Sequence, residues 1–222
     1  DYVTLSQYSV SANLHNPQWH RDSQSQLGDP VLYEPDYLVA KAAVYLQDND
    51  REWGGGMEIV PRSHRPDCLP PLSSFTGGSA LGKVSRFVER MLVSARNKAL
   101  KPLWLPLKAG DALVFHANLL HRASQPAADK PRGGHKNAEL RDPPPAKFKY
   151  LVDWEVSPDN RHVAAYLRHQ KKRAQNEPGL FRDSLDVRFP EDYPPELVAH
   201  IRRLGLKVVH YADAERAMQG AA

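Results

Sequence analysis

Three residues of the chain are of the types that bind a redox-active metal. His20 and Asp22 are separated by one residue, so in an extended segment both side chains point to the same side and could reach one ion. His121 follows much later, at the end of a predicted strand that begins after a turn at 110–111. Two histidines and one carboxylate form the facial ligand set of non-haem Fe(II) oxygenases, which leaves positions on the metal open. On spacing alone, His121 is a candidate third ligand.

The segments around these residues show the alternation of short β-strands. Residues 37–47 give the clearest pattern, and residues 1–14 predict one or two strands. Further strands are predicted at 57–61, 103–107, 111–120 and 147–156, and helices at 83–100, 160–175 and 194–204. Many short strands separated by Gly and Pro turns favour a mostly β fold with flanking helices, in a sandwich or a jelly roll.

The composition is typical of one globular domain, which we expect to span residues 1–222. A net charge of +4, from 30 basic and 26 acidic residues, indicates a mixed surface, so a nucleic-acid partner is not expected. No apolar run approaches the roughly 20 residues of a membrane span, and no signal peptide is visible. Cys68 is the single cysteine and we expect it to be inert, which together with the missing signal peptide predicts a cytoplasmic protein. The sequence has no nucleophile elbow, Walker loop or Cys-x-x-Cys pair, which argues against hydrolase, nucleotide-hydrolase and zinc-ribbon functions.

Four motifs follow one another along the first half of the chain. They are QWHRD at 18–22, VYLQDND at 44–50, GGGMEIVPRSH at 54–64, and AGDALVFH at 109–116 followed by His121. In order and in wording they resemble the phytanoyl-CoA dioxygenase family. The resemblance implies a double-stranded β-helix, which is a jelly roll of the cupin type, and a dioxygenase that uses Fe(II), 2-oxoglutarate and O2. It also implies that His20, Asp22 and His121 hold the iron.

The reaction implied by the resemblance is hydroxylation of an unactivated C–H bond in a small-molecule substrate, with release of succinate and CO2. In related halogenases the carboxylate ligand is replaced by Gly or Ala, which leaves room for a halide. Because Asp22 is present, hydroxylation is favoured over chlorination.

The distal carboxylate of 2-oxoglutarate needs a cationic partner, and three basic residues after His121 compete for this role. The family usually places an Arg eleven positions after the distal histidine, and Arg132 has that spacing (132 − 121 = 11). An arginine suits the role because its guanidinium pairs with a carboxylate through two hydrogen bonds. Arg132 stands before Gly-Gly in a predicted loop, however, and the next predicted strand begins with Lys147 and carries Lys149 on the same face. The sequence does not decide among the three.

Two further residues are candidates for binding the co-substrate. Lys41 lies in the predicted strand 37–47, and family members often use a lysine from the equivalent strand; the alternative is an edge-strand lysine near solvent. Ser124 lies one position beyond the serine that the family favours, and it is a candidate hydrogen-bond partner of the co-substrate. His64 and His116 are expected to have structural roles.

The sequence does not identify the substrate or the oligomeric state. Residues 66–106 interrupt the strands and are a candidate lid over the substrate. The basic helix at 83–100 and the basic run at 171–173 suggest, as a hypothesis, an anionic group on the substrate. Two alternative functions stay open, namely a cupin-type metal protein without oxygenase activity and a basic module that binds an anionic polymer.

Overall fold

The computed structural model describes residues 2–12, 19–23, 29–52, 54, 56–70, 91, 95, 99–124, 150–176, 184–188, 193–210 and 216. The strands are β1 (Tyr2–Ala12), β2 (Ala40–Tyr45), β3 (Met57–Ile59), β4 (Leu103–Leu105), β5 (Ala112–His116), β6 (His121–Ala123), β7 (Tyr150–Pro158), β8 (Ser184–Arg188) and β9 (Leu206–Val208). The helices are α1 (Arg161–Asn176) and α2 (Pro195–Arg203), and short 3₁₀ helices lie at Pro30–Tyr33 and Pro66–Cys68.

The strands form two sheets. The larger sheet has the order β5-β2-β7-β1-β8, and β9 pairs with β1 in parallel at its first residues. The smaller sheet has the order β4-β3-β6 and is antiparallel. Strand β2 is therefore an interior strand, antiparallel to both β5 and β7, and it carries its residues into the middle of the larger sheet.

A cluster of apolar side chains joins the two sheets. Ala43, Tyr45 and Phe115 come from the larger sheet, Met57 comes from the smaller one, and Leu119 comes from the turn between β5 and β6. Strands with one buried face alternate between inward and outward side chains, which is why the odd-numbered residues of β2 belong to this interior.

The opposite face of the larger sheet carries exposed apolar residues. Leu38, Leu46 and Val114 are exposed, Val114 by 64%. The even-numbered residues of the predicted strand 37–47 are all apolar, yet the buried face of this strand is the odd-numbered one, which includes Lys41. Hydrophobicity alone therefore gives the wrong interior face for this strand.

Helix α1 packs against the segment that precedes β2. Val163, Tyr166 and Leu167 are buried at helical spacing and contact a cluster that includes Leu32 and Tyr37. This second core and the cluster between the sheets are the two hydrophobic clusters among the described residues.

The structure confirms a mostly β chain with helices, and it places a strand in each predicted strand segment, although β7 extends to Pro158, two residues beyond the predicted 147–156. The jelly-roll arrangement and the single domain stay predictions. One expectation was wrong: His121 does not end the strand after the 110–111 turn, because β5 stops at His116 and residues 117–120 form a turn before β6 begins at His121. The sequence analysis also missed β8 and β9.

Most of the proposed lid at 66–106 lies outside the described residues. Met91, Ala95 and Ala99 are helical, as the predicted helix at 83–100 requires, and all three are exposed. The lid itself stays a prediction. None of the helices in the described part of the chain is both long and apolar enough to cross a membrane.

Candidate metal centre

The backbone holds the two histidines of the predicted triad side by side. The amide of His20 donates to the carbonyl of His121 at 2.9 Å, and the amide of His121 donates to the carbonyl of His20 at 2.9 Å. Residues directly opposite each other in an antiparallel pair place their side chains on the same side. The imidazole centroids are accordingly 4.3 Å apart, so the distal histidine does meet the first pair.

The carboxylate of Asp22 completes the cluster. Its Oδ1 lies 3.8 Å from Nε2 of His20 and 3.7 Å from Nε2 of His121, and one donor atom from each residue lies within 4.8 Å of the others. Transition-metal bonds to imidazole nitrogen and carboxylate oxygen are about 2.0–2.2 Å long, so ligand atoms on one ion lie up to about 4 Å apart. This set of donors therefore fits a divalent transition metal such as Fe(II).

The orientation of His121 leaves one ring nitrogen for a metal. Its Nδ1 lies 2.9 Å from the carbonyl oxygen of Leu119, and since a carbonyl only accepts, Nδ1 carries the proton and donates. Nε2 then presents its lone pair toward Asp22. The ring of Phe115 packs edge-on against the imidazole, with centroids 4.8 Å apart, and keeps the ring buried.

Arg21, between the two N-terminal ligands, points away from them and is 6% exposed. Its guanidinium donates to the carbonyls of Ser63 at 2.7 Å, of Cys68 at 2.9 Å, and of Asn118. Burial lowers the pKa of Arg21 to about 10, which still leaves it protonated at neutral pH. One buried cation thus ties the ligand segment to the turn that leads into β6. The sequence analysis passed over Arg21. Its position between His20 and Asp22 in an extended segment indicates only that its side chain points to the side opposite theirs.

The second oxygen of Asp22 faces Lys41. The ammonium lies 3.8 Å from Asp22 Oδ2 and 3.1 Å from Asp153 Oδ1. Burial lowers the pKa of Lys41, but Asp153, Asp22 and Glu155 together raise it well above its ordinary value, so the ammonium is charged. The alternative of an edge-strand lysine near solvent was wrong, because β2 is flanked by β5 and β7, while a contact of Lys41 with the co-substrate stays a prediction.

Two buried acidic residues of β7, Asp153 and Glu155, lie beside Lys41. Both lie on the inward face of β7, and Glu155 is only 1% exposed. Burial raises the pKa of Glu155 to about 8, even though the Lys41 ammonium acts to lower it. Glu155 is therefore mostly protonated at neutral pH. The sequence analysis assigned these two residues no role, although period-2 alternation puts them on the same face of the predicted strand as Lys147 and Lys149 and could have found them.

Ser124 is buried between the smaller sheet and the glycine motif. Its amide donates to the carbonyl of Gly56 at 2.7 Å, and its Oγ accepts from the indole nitrogen of Trp104 at 3.4 Å. A Cβ on Gly56 would lie 2.9 Å from that indole nitrogen, so the close approach requires glycine here. A hydrogen bond from Ser124 to a co-substrate stays a prediction.

A model of the phytanoyl-CoA dioxygenase (PhyH) family matches residues 6–134, which is more than half of the chain and includes all three residues of the triad. The chain belongs to this family. Fe(II), 2-oxoglutarate and O2 are the cofactor and co-substrates that the family uses, which confirms the cofactor prediction.

Several solved structures are similar to this member of the PhyH family. The non-heme α-ketoglutarate-dependent epimerase SnoN from nogalamycin biosynthesis is 16% identical over 70% of this chain and 47% of its own, with a TM-score of 0.38. AviO1 from Streptomyces viridochromogenes Tue57 is 16% identical over 71% of this chain and 52% of its own, with a TM-score of 0.34. EvdMO1 is 15% identical over 72% of this chain and 28% of its own, with a TM-score of 0.37. The chain thus spans about half or less of the length of these proteins. No curated protein matches it.

Three other residues of this PhyH-family chain are candidates for binding the distal carboxylate of the co-substrate, namely Arg132, Lys147 and Lys149. All three lie outside the described residues, so their roles stay predictions. The histidines expected to be structural are packed together, since the rings of His64 and His116 stack with centroids 5.4 Å apart. His116 also accepts a hydrogen bond from the amide of Asn118 at 3.0 Å, which supports the turn before β6.

Proposed function

We propose that this chain is an Fe(II)- and 2-oxoglutarate-dependent dioxygenase that hydroxylates an unactivated C–H bond of a small molecule and releases succinate and CO2. The observation that carries the proposal is the convergence of His20, Asp22 and His121 on one point inside a PhyH-family chain. Three protein ligands occupy half of an octahedral coordination shell and leave the rest for co-substrates.

The roles of the protein residues follow from their contacts. His20, His121 and Asp22 would hold the iron, which supplies O2 activation coupled to oxidation of 2-oxoglutarate when it is bound. The proton on Nδ1 of His121 is held by the Leu119 carbonyl, so the ring stays in the ligating tautomer. Lys41 neutralises Asp22 and keeps one carboxylate oxygen directed away from the histidines.

Lys41 also supports binding of an anionic co-substrate. It is a charged, mostly buried cation beside the triad, and in that setting its attraction for a carboxylate is weakly screened. Arg132, Lys147 and Lys149 stay as the other candidates. An anionic group on the substrate remains a hypothesis that rests on the basic segments at 83–100 and 171–173.

The test is anaerobic visible spectroscopy of the metal-free protein. We expect a charge-transfer band that requires both Fe(II) and 2-oxoglutarate, and that is lost in His121→Ala but kept in the matched control His200→Ala, whose histidine is on the surface of α2. Exposure to O2 should then release succinate, and mass spectrometry of candidate substrates should show the addition of one oxygen atom. A band without added oxygen in any product would refute hydroxylation but keep the iron site.

A second candidate function is a cupin-type metal protein without oxygenase activity. The observation that favours it is that Lys41 already pairs with Asp22 and Asp153, so its charge is compensated before any co-substrate carboxylate binds. This alternative predicts that metal binds, that 2-oxoglutarate produces no band, and that no succinate is released.

A further inference from the structure

A second convergence of ligand-type side chains lies away from the triad. Glu34 ends the 3₁₀ helix at Pro30–Tyr33, Asp36 follows two positions later, and His162 is the second residue of α1. One donor atom from each residue lies within 4.8 Å of the others. Nε2 of His162 is 3.3 Å from Asp36 Oδ1 and 3.6 Å from Glu34 Oε2.

The buried histidine of this cluster is the observation that points to a missing ligand. His162 has no exposed surface, and its ring nitrogens make no well-formed hydrogen bond to the described residues: Nδ1 has no partner among them, and Nε2 approaches Asp36 only at 3.3 Å. Leaving a buried polar group without a hydrogen bond is unfavourable, and native proteins rarely do so. The ring edge that carries Nε2 faces the two carboxylates, where a bound cation would satisfy both the nitrogen and the oxygens.

The spacing of these donors resembles that of the predicted iron ligands. In the triad, each histidine Nε2 lies 3.7–3.8 Å from the Asp22 oxygen, and here the corresponding distances are 3.3 and 3.6 Å. We propose that Glu34, Asp36 and His162 bind a divalent transition-metal ion, with Zn²⁺ as the best match. One imidazole and two carboxylates are ligands that zinc accepts, whereas Mg²⁺ and Ca²⁺ prefer oxygen alone.

Arg161 pairs with both carboxylates of the proposed site. Its Nη2 lies 2.6 Å from Glu34 Oε2 and 3.6 Å from Asp36 Oδ1, and its side chain is 67% exposed. A long, exposed side chain can turn into water when a metal enters, at the loss of only a surface ion pair. Arg161 is therefore a competitor of the ion, and its removal strengthens metal binding.

The bound ion would have a structural role. It would connect the segment before β2 to the first turn of α1, and both elements belong to the core cluster that includes Leu32 and Tyr166. A ligand that binds only the folded chain raises the unfolding temperature. The site would therefore stabilise the packing of α1, and neither its formation nor its loss requires the oxygenase reaction.

The experiment measures bound Zn²⁺ by equilibrium dialysis and metal analysis of the full chain. Wild type should bind two equivalents, Asp22→Ala one, and Asp36→Asn one. Asp36 is 59% exposed, so its replacement should not disturb folding. His162→Gln should also bind one equivalent, and the control His200→Gln should bind two. Arg161→Gln should bind two, with the affinity of one site raised severalfold.

Thermal unfolding provides an independent measurement. Zn²⁺ should raise the unfolding temperature of Asp22→Ala, in which only the second site remains, and this shift should vanish when Asp36→Asn is added. Equal Zn²⁺ binding by Asp36→Asn and wild type would overturn the proposal, whether or not His162→Gln folds. Because the Fe(II)–2-oxoglutarate band reports only the triad, failure of this site and failure of the proposed function are distinguishable.

Discussion

Replacing Arg21 by methionine should loosen the candidate metal centre without removing any of the three proposed ligands. Methionine keeps much of the volume and fits an apolar site, but it cannot donate to the carbonyls of Ser63, Cys68 and Asn118. Those carbonyls lie in three separate segments, so the change releases the His20–Asp22 segment from all of them at once.

The magnitude follows from two opposing terms. Each hydrogen bond from a charged donor contributes about 1.5–3 kcal/mol, and Arg21 makes three of them. The lowering of its pKa from 12.5 to about 10 shows that burying the cation opposes folding by about 3 kcal/mol. The balance predicts that Arg21→Met destabilises the protein by about 3 kcal/mol. Fe(II) affinity should fall by about tenfold or more, as is usual for residues that orient ligands.

Urea denaturation of the metal-free protein checks the first value, and Fe(II) titration checks the second. Arg21→Lys is the matched conservative variant: it keeps the charge but cannot reach three carbonyls with one ammonium, so it should lie between wild type and Arg21→Met. Arg65→Met is the surface control, and it should change stability by less than about 0.5 kcal/mol, because the ion pair of Arg65 with Asp67 is exposed. If the free energy of unfolding of Arg21→Met lies within about 1 kcal/mol of the wild-type value, the three hydrogen bonds of Arg21 do not hold the site together.

Three further predictions follow from the buried groups. Glu155 has a pKa of about 8 in the folded chain against 4.5 when unperturbed, so between these pH values the folded state keeps a proton that the unfolded state releases. The free energy of unfolding should therefore fall as the pH rises from 4.5 through 8. In Glu155→Gln, the free energy of unfolding measured by urea denaturation should change less steeply with pH. Gly56→Ala should lower stability by about 1–3 kcal/mol in thermal unfolding, because its Cβ would lie 2.9 Å from Trp104 Nε1. Lys41→Met should weaken Fe(II) binding about tenfold in equilibrium dialysis, because Asp22 loses the buried ammonium that keeps its second carboxylate oxygen directed away from the histidines.

Each of these has a result that would contradict it. An unchanged pH slope in Glu155→Gln would mean that this carboxyl is ionised in the folded chain. Wild-type stability in Gly56→Ala would show that the indole moves aside at no cost. For Lys41→Met, the exposed Lys101→Met is the control, and equal Fe(II) affinity in both variants would remove Lys41 from the site.

The triad and the strands around it could be predicted from the sequence because their signals are local. Alternation along an extended segment places His20 and Asp22 on the same side. The resemblance of the motifs to the family pattern predicted that His121 joins them. The predicted helices at 160–175 and 194–204 were confirmed as Arg161–Asn176 and Pro195–Arg203, because apolar residues recur there at helical spacing.

What the sequence did not predict depends on long-range packing. The inward face of β2 carries Lys41, and the inward face of β7 carries Asp153 and Glu155. Which face of these strands is buried is therefore decided by the interactions among charged side chains, which the hydrophobic pattern of the sequence does not show. The strands β8 and β9 are short and pair with β1 at the other end of the chain, which no local pattern reveals. The break between β5 and β6 depends on the turn at 117–120, whose shape comes from contacts with Arg21 and Ser63.

The reciprocal pairing of His20 and His121 turns two amide protons into reporters of the candidate metal centre. Each amide is bonded to the other residue's carbonyl, so neither proton can exchange with deuterium unless the two ligand segments separate. The two protons should therefore exchange at a common rate, and that rate measures how often the centre opens. Metal binding to both rings should slow them together, while amides in the exposed turn at 108–111 keep their rates. Hydrogen exchange at two residues could thus follow metal loading without a chromophore or a known substrate.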